Sequence, residues 1–141
     1  MMKKMVQASL AATMLLAQAA QAAPAAACPA AAFPAFFPKF ADSVAVQKRF
    51  TADPLAHVLL DHAAKAGPRE IKVELAKGKL TFPLIPTAQE RKRAKLALRV
   101  DEAGDTSAKA TLFNEDRGYQ MVYFFRKDAC WKLERIEDRS L

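Results

Sequence analysis

Four phenylalanines, Phe33, Phe36, Phe37 and Phe40, recur at steps of three and four residues, which is the spacing of one helical face. Pro34 suits a first helical turn, and Pro38 limits how far the regular part can extend before it. So much apolar area in so short a stretch favours core packing over an exposed aromatic surface. Asp42 or Ser43 can cap a second short helix that carries Val44, Val46, Gln47 and Phe50. The stretch from Asp53-Pro54 to Gly67-Pro68 reads two ways. Asp53 as N-cap, Pro54 at the first helical position, Leu55, Val58, Leu59, His62 and Ala63 on one face and Gly67 as a stop spell a helix. The run Val58-Leu59-Leu60 equally suits a buried strand, and the local signals favour the helix slightly.

Beyond Gly67 the period drops to two. Ile71, Val73 and Leu75 alternate with Lys72, Glu74 and Ala76, and Leu80, Phe82 and Leu84 alternate again, so both stretches read as strands or extended edges. Pro83 and Pro86 exclude a regular central strand in the second. Thr87-Ala88-Gln89-Glu90 is a capping box that opens a short helix with Arg91, Lys92, Arg93 and Lys95. That cluster is a candidate anion contact at Arg91, Lys92 and Arg93, set against the more ordinary role of a solvated helix face. Leu96 to Val100, Ala108 to Phe113, Tyr119 to Arg126 and Cys130 to Ile136 are four strands on short polar turns, an antiparallel meander. In the third of these, Tyr119, Met121, Tyr123 and Phe125 point one way while Val122 and Phe124 point the other. A sheet with one face under helices needs only one apolar face, so the second face calls for a cover, and a homodimer through the sheet face is the economical candidate.

Composition changes the picture at one end. The 141 residues carry 22 Lys and Arg against 15 Asp and Glu, for a formal charge of +7, but 14 of the first 32 residues are Ala. Lys3 and Lys4, the apolar stretch Leu10 to Ala17 and the small-x-small site Ala20-Gln21-Ala22 form the three-part layout of a secretory signal peptide. The apolar stretch is too short to span a bilayer, so stable membrane insertion is not expected. Cleavage after Ala22 leaves 119 residues with 20 basic and 15 acidic side chains, a charge of +5. The expected organisation is a signal peptide over 1–22, a Pro/Ala-rich tether over 23–32 and a single α+β domain over 33–141, located in the periplasm or secreted. The competing route is lipidation at Cys28, which follows Ala25-Ala26-Ala27. In an oxidising compartment the two cysteines, Cys28 and Cys130, most simply pair with each other, against the alternative of two unpaired core thiols. A disulfide there closes a loop of about 100 residues, for which the chain-entropy model gives on the order of 4 to 5 kcal/mol.

Helices first and a meander afterwards make an α+β arrangement. The chain at this point resembles small secreted bacterial proteins of unknown function with the nuclear-transport-factor-2-like, or cystatin-like, fold. The matching pieces are Phe33-x-x-Phe36-x-x-x-Phe40 with Asp42, Val46-Gln47-x-Arg49-Phe50, Pro54-Leu55, Phe82-Pro83-Leu84 and Gly118-Tyr119. The ending Cys130-Trp131-Lys132-Leu133-x-x-Ile136-Glu137-Asp138-x-Ser140-Leu141 matches as well. The resemblance implies N-terminal helices packed on a curved antiparallel sheet, a pocket at the open end and dimers through sheet faces. It also implies that the Pro54-Leu55 stretch runs as a strand, against the local helix signal.

The resemblance brings no activity with it, and the chemistry has to be read from side chains. On folds of this class, pocket Asp, Tyr, His or Arg groups do the work. The candidates are Tyr119, Tyr123, Arg99 and Asp138, with His57 and His62 behind them; Asp138 also has the plainer option of capping or of pairing with Arg135 or Arg139. The spacing of His57 and His62 places them neither on one helical face nor on one strand face, so no metal is expected, and no sequence feature calls for a cofactor. The few glycines form no phosphate-binding loop, and the Ser-His-Asp and HExxH signatures are missing. Two functions follow. One is an exported, non-catalytic envelope protein that binds a small ligand, a peptide or a protein, with its positive charge favouring an anionic envelope component. The other is a small pocket enzyme, isomerase- or hydrolase-like, with an Asp/Tyr acid-base pair. Nucleic acid is not expected, because the basic residues are spread without aromatic interleaving.

Overall fold

A computed structural model describes residues 27–141, so the expected signal peptide and the first part of the tether lie outside the described residues. Helix α1 (Phe33–Ala41) buries Phe33, Phe36, Phe37 and Phe40. It runs through Pro38 rather than stopping short of it. Pro38 sits at the sixth helical position, where it forgoes one backbone bond, and the buried aromatic face holds the turn regular around it. The rings gather on Phe125, whose centroid lies 5.1 Å from that of Phe33 and 5.2 Å from that of Phe40, and Trp131 closes edge-on to Phe33 at 5.0 Å. Each such fully buried aromatic contributes about 1.5–3 kcal/mol of transfer free energy.

Helix α2 (Val44–Arg49) starts at Ser43, whose Oγ accepts the Val46 N–H. Its Gln47 is fully buried and ties three segments together. The amide Nε2 donates to the carbonyls of Ala41 and Ile85, both at 3.2 Å, and Oε1 accepts the Leu84 N–H at 2.7 Å. The stretch Leu80 to Leu84, expected to be extended with strand character, therefore joins no strand. It is an irregular loop held by Gln47, with Ile85 fully buried beneath it. The Thr87–Glu90 capping box forms as expected and opens α3 (Ala88–Arg93).

Among the described residues the sheet has six strands, not the four of the expected meander. They are β1 (Thr51–Asp61), β2 (Arg69–Leu75), β3 (Ala97–Ala103), β4 (Ser107–Asn114), β5 (Tyr119–Lys127) and β6 (Trp131–Asp138), in the order β2-β1-β6-β5-β4-β3. β3 to β6 are the expected antiparallel meander, but β6 also pairs with β1 in parallel, so the sheet is mixed. β1 replaces the locally favoured helix. Leu55 and Val58, placed on one face by a helical period, lie on opposite faces of a strand, and both are buried, at 1% and 2% exposure. Asp53 caps no helix; its Oδ1 accepts the Lys77 N–H across the loop at 2.9 Å. Pairing on both sides of β1, with β2 as a hairpin and with the distant β6 in parallel, outweighs the capping signals around it.

Cys28 and Cys130 form a disulfide with 5.4 Å between their Cα atoms. It anchors the segment before α1 to the turn before β6, and Trp131 Nε1 and Lys127 Nζ add to this by donating to Ala31 O at 2.9 and 2.8 Å.

Candidate functional site

The register of the sheet decides which side chains meet. On the face toward the helices, Tyr123 stands opposite Ile136 and Ala110, and Phe125 opposite Leu133 and Ala108. The other face carries two cross-strand rows. One reads Lys72, Val58, Glu137, Val122, Thr111, Arg99, and the next reads Glu74, Ala56, Arg135, Phe124, Lys109, Asp101. Charged residues close over the apolar ones. Arg135 lies 3.9 Å above the Phe124 ring, Glu137 accepts from Arg139 at 2.7 Å and pairs with Arg135 at 3.0 Å, and Arg139 reaches Glu70 at 2.9 Å. Val58 and Val122 end up 2% and 7% exposed. The second face of β5 is therefore screened within the chain by the stems and ion pairs of long side chains, and what it presents outward is charge.

At the end of this face beside the β4–β5 turn is a recess of about 440 Å³, within the range of about 300–1,000 Å³ usual for small-ligand sites. The sequence builds it at Gly118, which takes a left-handed conformation (φ 61°) after the 3₁₀ turn Glu115–Arg117. A Cβ on Gly118 would lie 3.2 Å from Leu141 Cβ. Glycine meets this left-handed conformation without strain and leaves room for the C-terminal tail to close in, with Leu141 N donating to Gly118 O and Arg139 N to Gln120 O, each at 2.8 Å. Arg99, Thr111, Phe113, Tyr119, Gln120 and Arg139 are among the lining residues. A larger depression of about 790 Å³ is lined by consecutive residues of the β1–β2 connection and is the hollow of that turn itself.

The two arginines of the recess differ. Arg139 is bound to Glu137 through both Nε and Nη2, a hydrogen bonding that raises its pKa and keeps it protonated, and its charge is matched by Glu137 and Glu70. Arg99 shares Asp101 with Lys109, at 3.5 and 3.6 Å, so two cations face one carboxylate and positive charge is left over. Arg99 stands at the β3 side of the recess, and Glu115 lines it from the β4–β5 turn.

Of the four expected pocket residues, Tyr119 and Arg99 both line this recess, whereas Tyr123 and Asp138 do not. Tyr119 and Tyr123 are neighbours on the helix-facing side of β5. Burial first, and then the Asp138 carboxylate, raise the pKa of Tyr119; burial first, and then Tyr119, push Tyr123 far above the ordinary phenol range. Both rings stay protonated, and Tyr123 gives its hydroxyl to Leu84 O at 3.2 Å. Asp138 accepts the Ser140 N–H at 3.0 Å, the capping option; the ion pairs of Arg135 and Arg139 run to Glu137 instead. The basic cluster divides as well. Arg91 donates to Pro86 O at 2.7 Å with its guanidinium 5.8 Å from the Phe37 ring, while Lys92 and Arg93 stay exposed. His62 Nε2 lies 3.1 Å from Ser140 O, and His57 Nε2 is buried with no partner among the described residues. Among those residues, no group of three or more His, Cys, Asp or Glu is placed to hold a metal ion, and no helix is long and apolar enough to cross a membrane.

Thr111, Gln120 and the tail escaped the sequence reading. Gly118-Tyr119 was the available signal, since a glycine that ends a polar turn marks a close approach, but what approaches it lies more than twenty residues away.

No protein-family model and no curated protein matches the chain. Its structure is similar to the crystal structure of an NTF2-like protein from Bacteroides fragilis NCTC 9343, with a TM-score of 0.57 at 20% identity over 78% of this chain and 47% of that one. The chain spans about half the length of that neighbour. At this identity the likeness fixes the fold: an NTF2-like α+β architecture, as the resemblance of the sequence implied.

Proposed function

We propose that the protein is a non-catalytic, exported binding protein and that the recess beside the C-terminal tail receives a small ligand bearing an anionic group. The observation that carries this reading is Arg99, which has only a share of Asp101 because Lys109 takes the other, on the wall of a ligand-sized recess that also offers the Gln120 amide, the Thr111 hydroxyl and the apolar surface of Phe113, with Glu115 as the one acidic side chain of the lining. Disulfides belong to oxidising compartments, which supports a place outside the cytoplasm, and the periplasm is the proposed one. A net charge of +5 after signal cleavage would draw anionic envelope components by long-range attraction.

The test is titration of the labelled protein with small carboxylates and phosphates, followed by amide chemical shifts. Expected shifts cluster on Arg99, Gln120 and Tyr119, and Arg99→Ala weakens binding roughly tenfold or more, the worth of one charge-assisted hydrogen bond. Shifts confined to Lys92 and Arg93 would move the anion contact to α3 and end the recess reading. The proximity of Asp138 to Tyr119 and Tyr123 favours a second reading, the small pocket enzyme. Against it stand the engagement of Asp138 by the Ser140 N–H, the commitment of the Tyr123 hydroxyl to Leu84 O and the position of both residues outside the recess lining; turnover lost in Asp138→Asn with folding intact would support it.

A further inference from the structure

Among the described residues the sheet has two open edges, and the charges beside them differ. β2 and β3 are both exposed, and each shows large apolar side chains on the helix-facing side, Ile71 and Val73 at 37% and Leu98 and Val100 at 41% and 39%. Unpaired backbone groups along such an edge form a template for another strand. On β3, Arg99 and Asp101 already pair with each other. On β2, Arg69 is taken by Asp61 and Glu70 by Arg139, while Lys72 and Glu74 have no ion-pair partner among the described residues. These two flank Val73.

We propose that β2 is a self-association edge and that two copies of the chain pair through it as antiparallel strands centred on Val73. In that register Val73 lies opposite Val73 and Ile71 opposite Leu75 on the helix-facing side. On the other side Lys72 of each copy meets Glu74 of the other, two opposite-charge pairs related by a two-fold axis. Neighbouring registers are worse. Centring on Lys72 opposes it to itself and Glu70 to Glu74; centring on Glu74 opposes that carboxylate to itself. Centring on Ile71 sets Pro68, which lacks an N–H, within the ladder and draws on Glu70, already bound to Arg139. The same operation on β3 sets Leu98 opposite Glu102. The two-fold uses up the β2 edge and leaves a twelve-stranded sheet rather than a growing fibre. A five-residue ladder, Ile71 to Leu75 of each copy, is small beside the ~1,200–2,000 Å² of stable complexes, so the dimer is weak and reversible.

The test is sedimentation equilibrium of the purified full chain at low ionic strength. The apparent mass rises with concentration toward twice the monomer value. Lys72→Glu and Glu74→Lys, both at exposed positions, each weaken association roughly tenfold by opposing like charges, and the double variant regains it because the pairs are merely reversed. Circular dichroism and melting confirm that every variant is folded. A wild type that stays monomeric at all concentrations overturns the proposal. So does association indifferent to the single reversals, as contact through the sheet face would give, or a double variant as weak as the singles.

Discussion

Tyr123 shows how a residue marked for chemistry is claimed by packing. Its alternation in β5 and its hydroxyl made it a pocket candidate, but the helix-facing side of that strand is the core, and the hydroxyl is used up on Leu84 O. Its folded pKa is raised, so folding holds a proton that the unfolded chain releases near pH 10. That contribution to stability is whole below about pH 10 and is lost as the pH rises above it. Tyr123→Phe should therefore be less stable than wild type at neutral pH by about 1 kcal/mol, the worth of one hydrogen bond, and the gap should narrow above pH 10. Urea midpoints at pH 7 and pH 10.5 check this; a gap that widens with pH would contradict the assignment. Arg99 is the opposite case. Nothing in its local sequence separates it from the other basic residues; only the register against Thr111 and the sharing of Asp101 with Lys109 single it out.

At the scale of elements, what was legible was local. The Phe stripe of α1, the Ser43 cap, the Thr87–Glu90 box and the alternation in β3 to β6 each carry their information within a dozen residues, and each forms. β1 was legible only through the family resemblance, which implied a strand at Pro54-Leu55; the local residues pointed to a helix instead, for a physical reason. Its capping signals are local and one of its two partners is not: β6 lies about eighty residues further along the sequence, and the bonds it supplies, added to the β2 hairpin, outweigh a marginal helix. The recess was hidden likewise, because β3, β4, β5 and the tail each supply only one to three of its residues. The β4–β5 turn gives the test at this scale. Gly118→Ala forces a side chain into a left-handed conformation, at a cost of about 1–2 kcal/mol, and presses its Cβ against Leu141. The expected result is a matching loss in thermal stability together with faster amide exchange at Arg139 and Leu141, whose hydrogen bonds form the tail wall.

For the molecule as a whole, the disulfide is the feature on which location and stability meet. Two cysteines 102 residues apart in sequence are joined, and counting them was enough to pair them. The intact mass of the exported protein should show a start near Ala23 and a gain of two hydrogens on reduction; an acylated Cys28 would exclude the bond. Reduction should cost on the order of 2–5 kcal/mol, read as a drop in the urea midpoint. The helix-versus-strand question and the mixed sheet both trace to one strand.

That strand is β6, and it sets the order of assembly. β1 and β2 form one hairpin, β3, β4 and β5 form a separate ribbon, and only β6 lies between them, joining one in parallel and the other antiparallel. Trp131, Leu133 and Ile136, which close the core under α1, come with it. A chain still emerging from the ribosome thus holds two half-sheets with an open edge each and an aromatic helix without its floor. Folding that depends on such distant contacts is slow, and here it waits on the C-terminal residues. A nascent chain short of β6 is the species for a chaperone to hold, and a truncation there would leave two fragments of sheet in place of a smaller version of the fold.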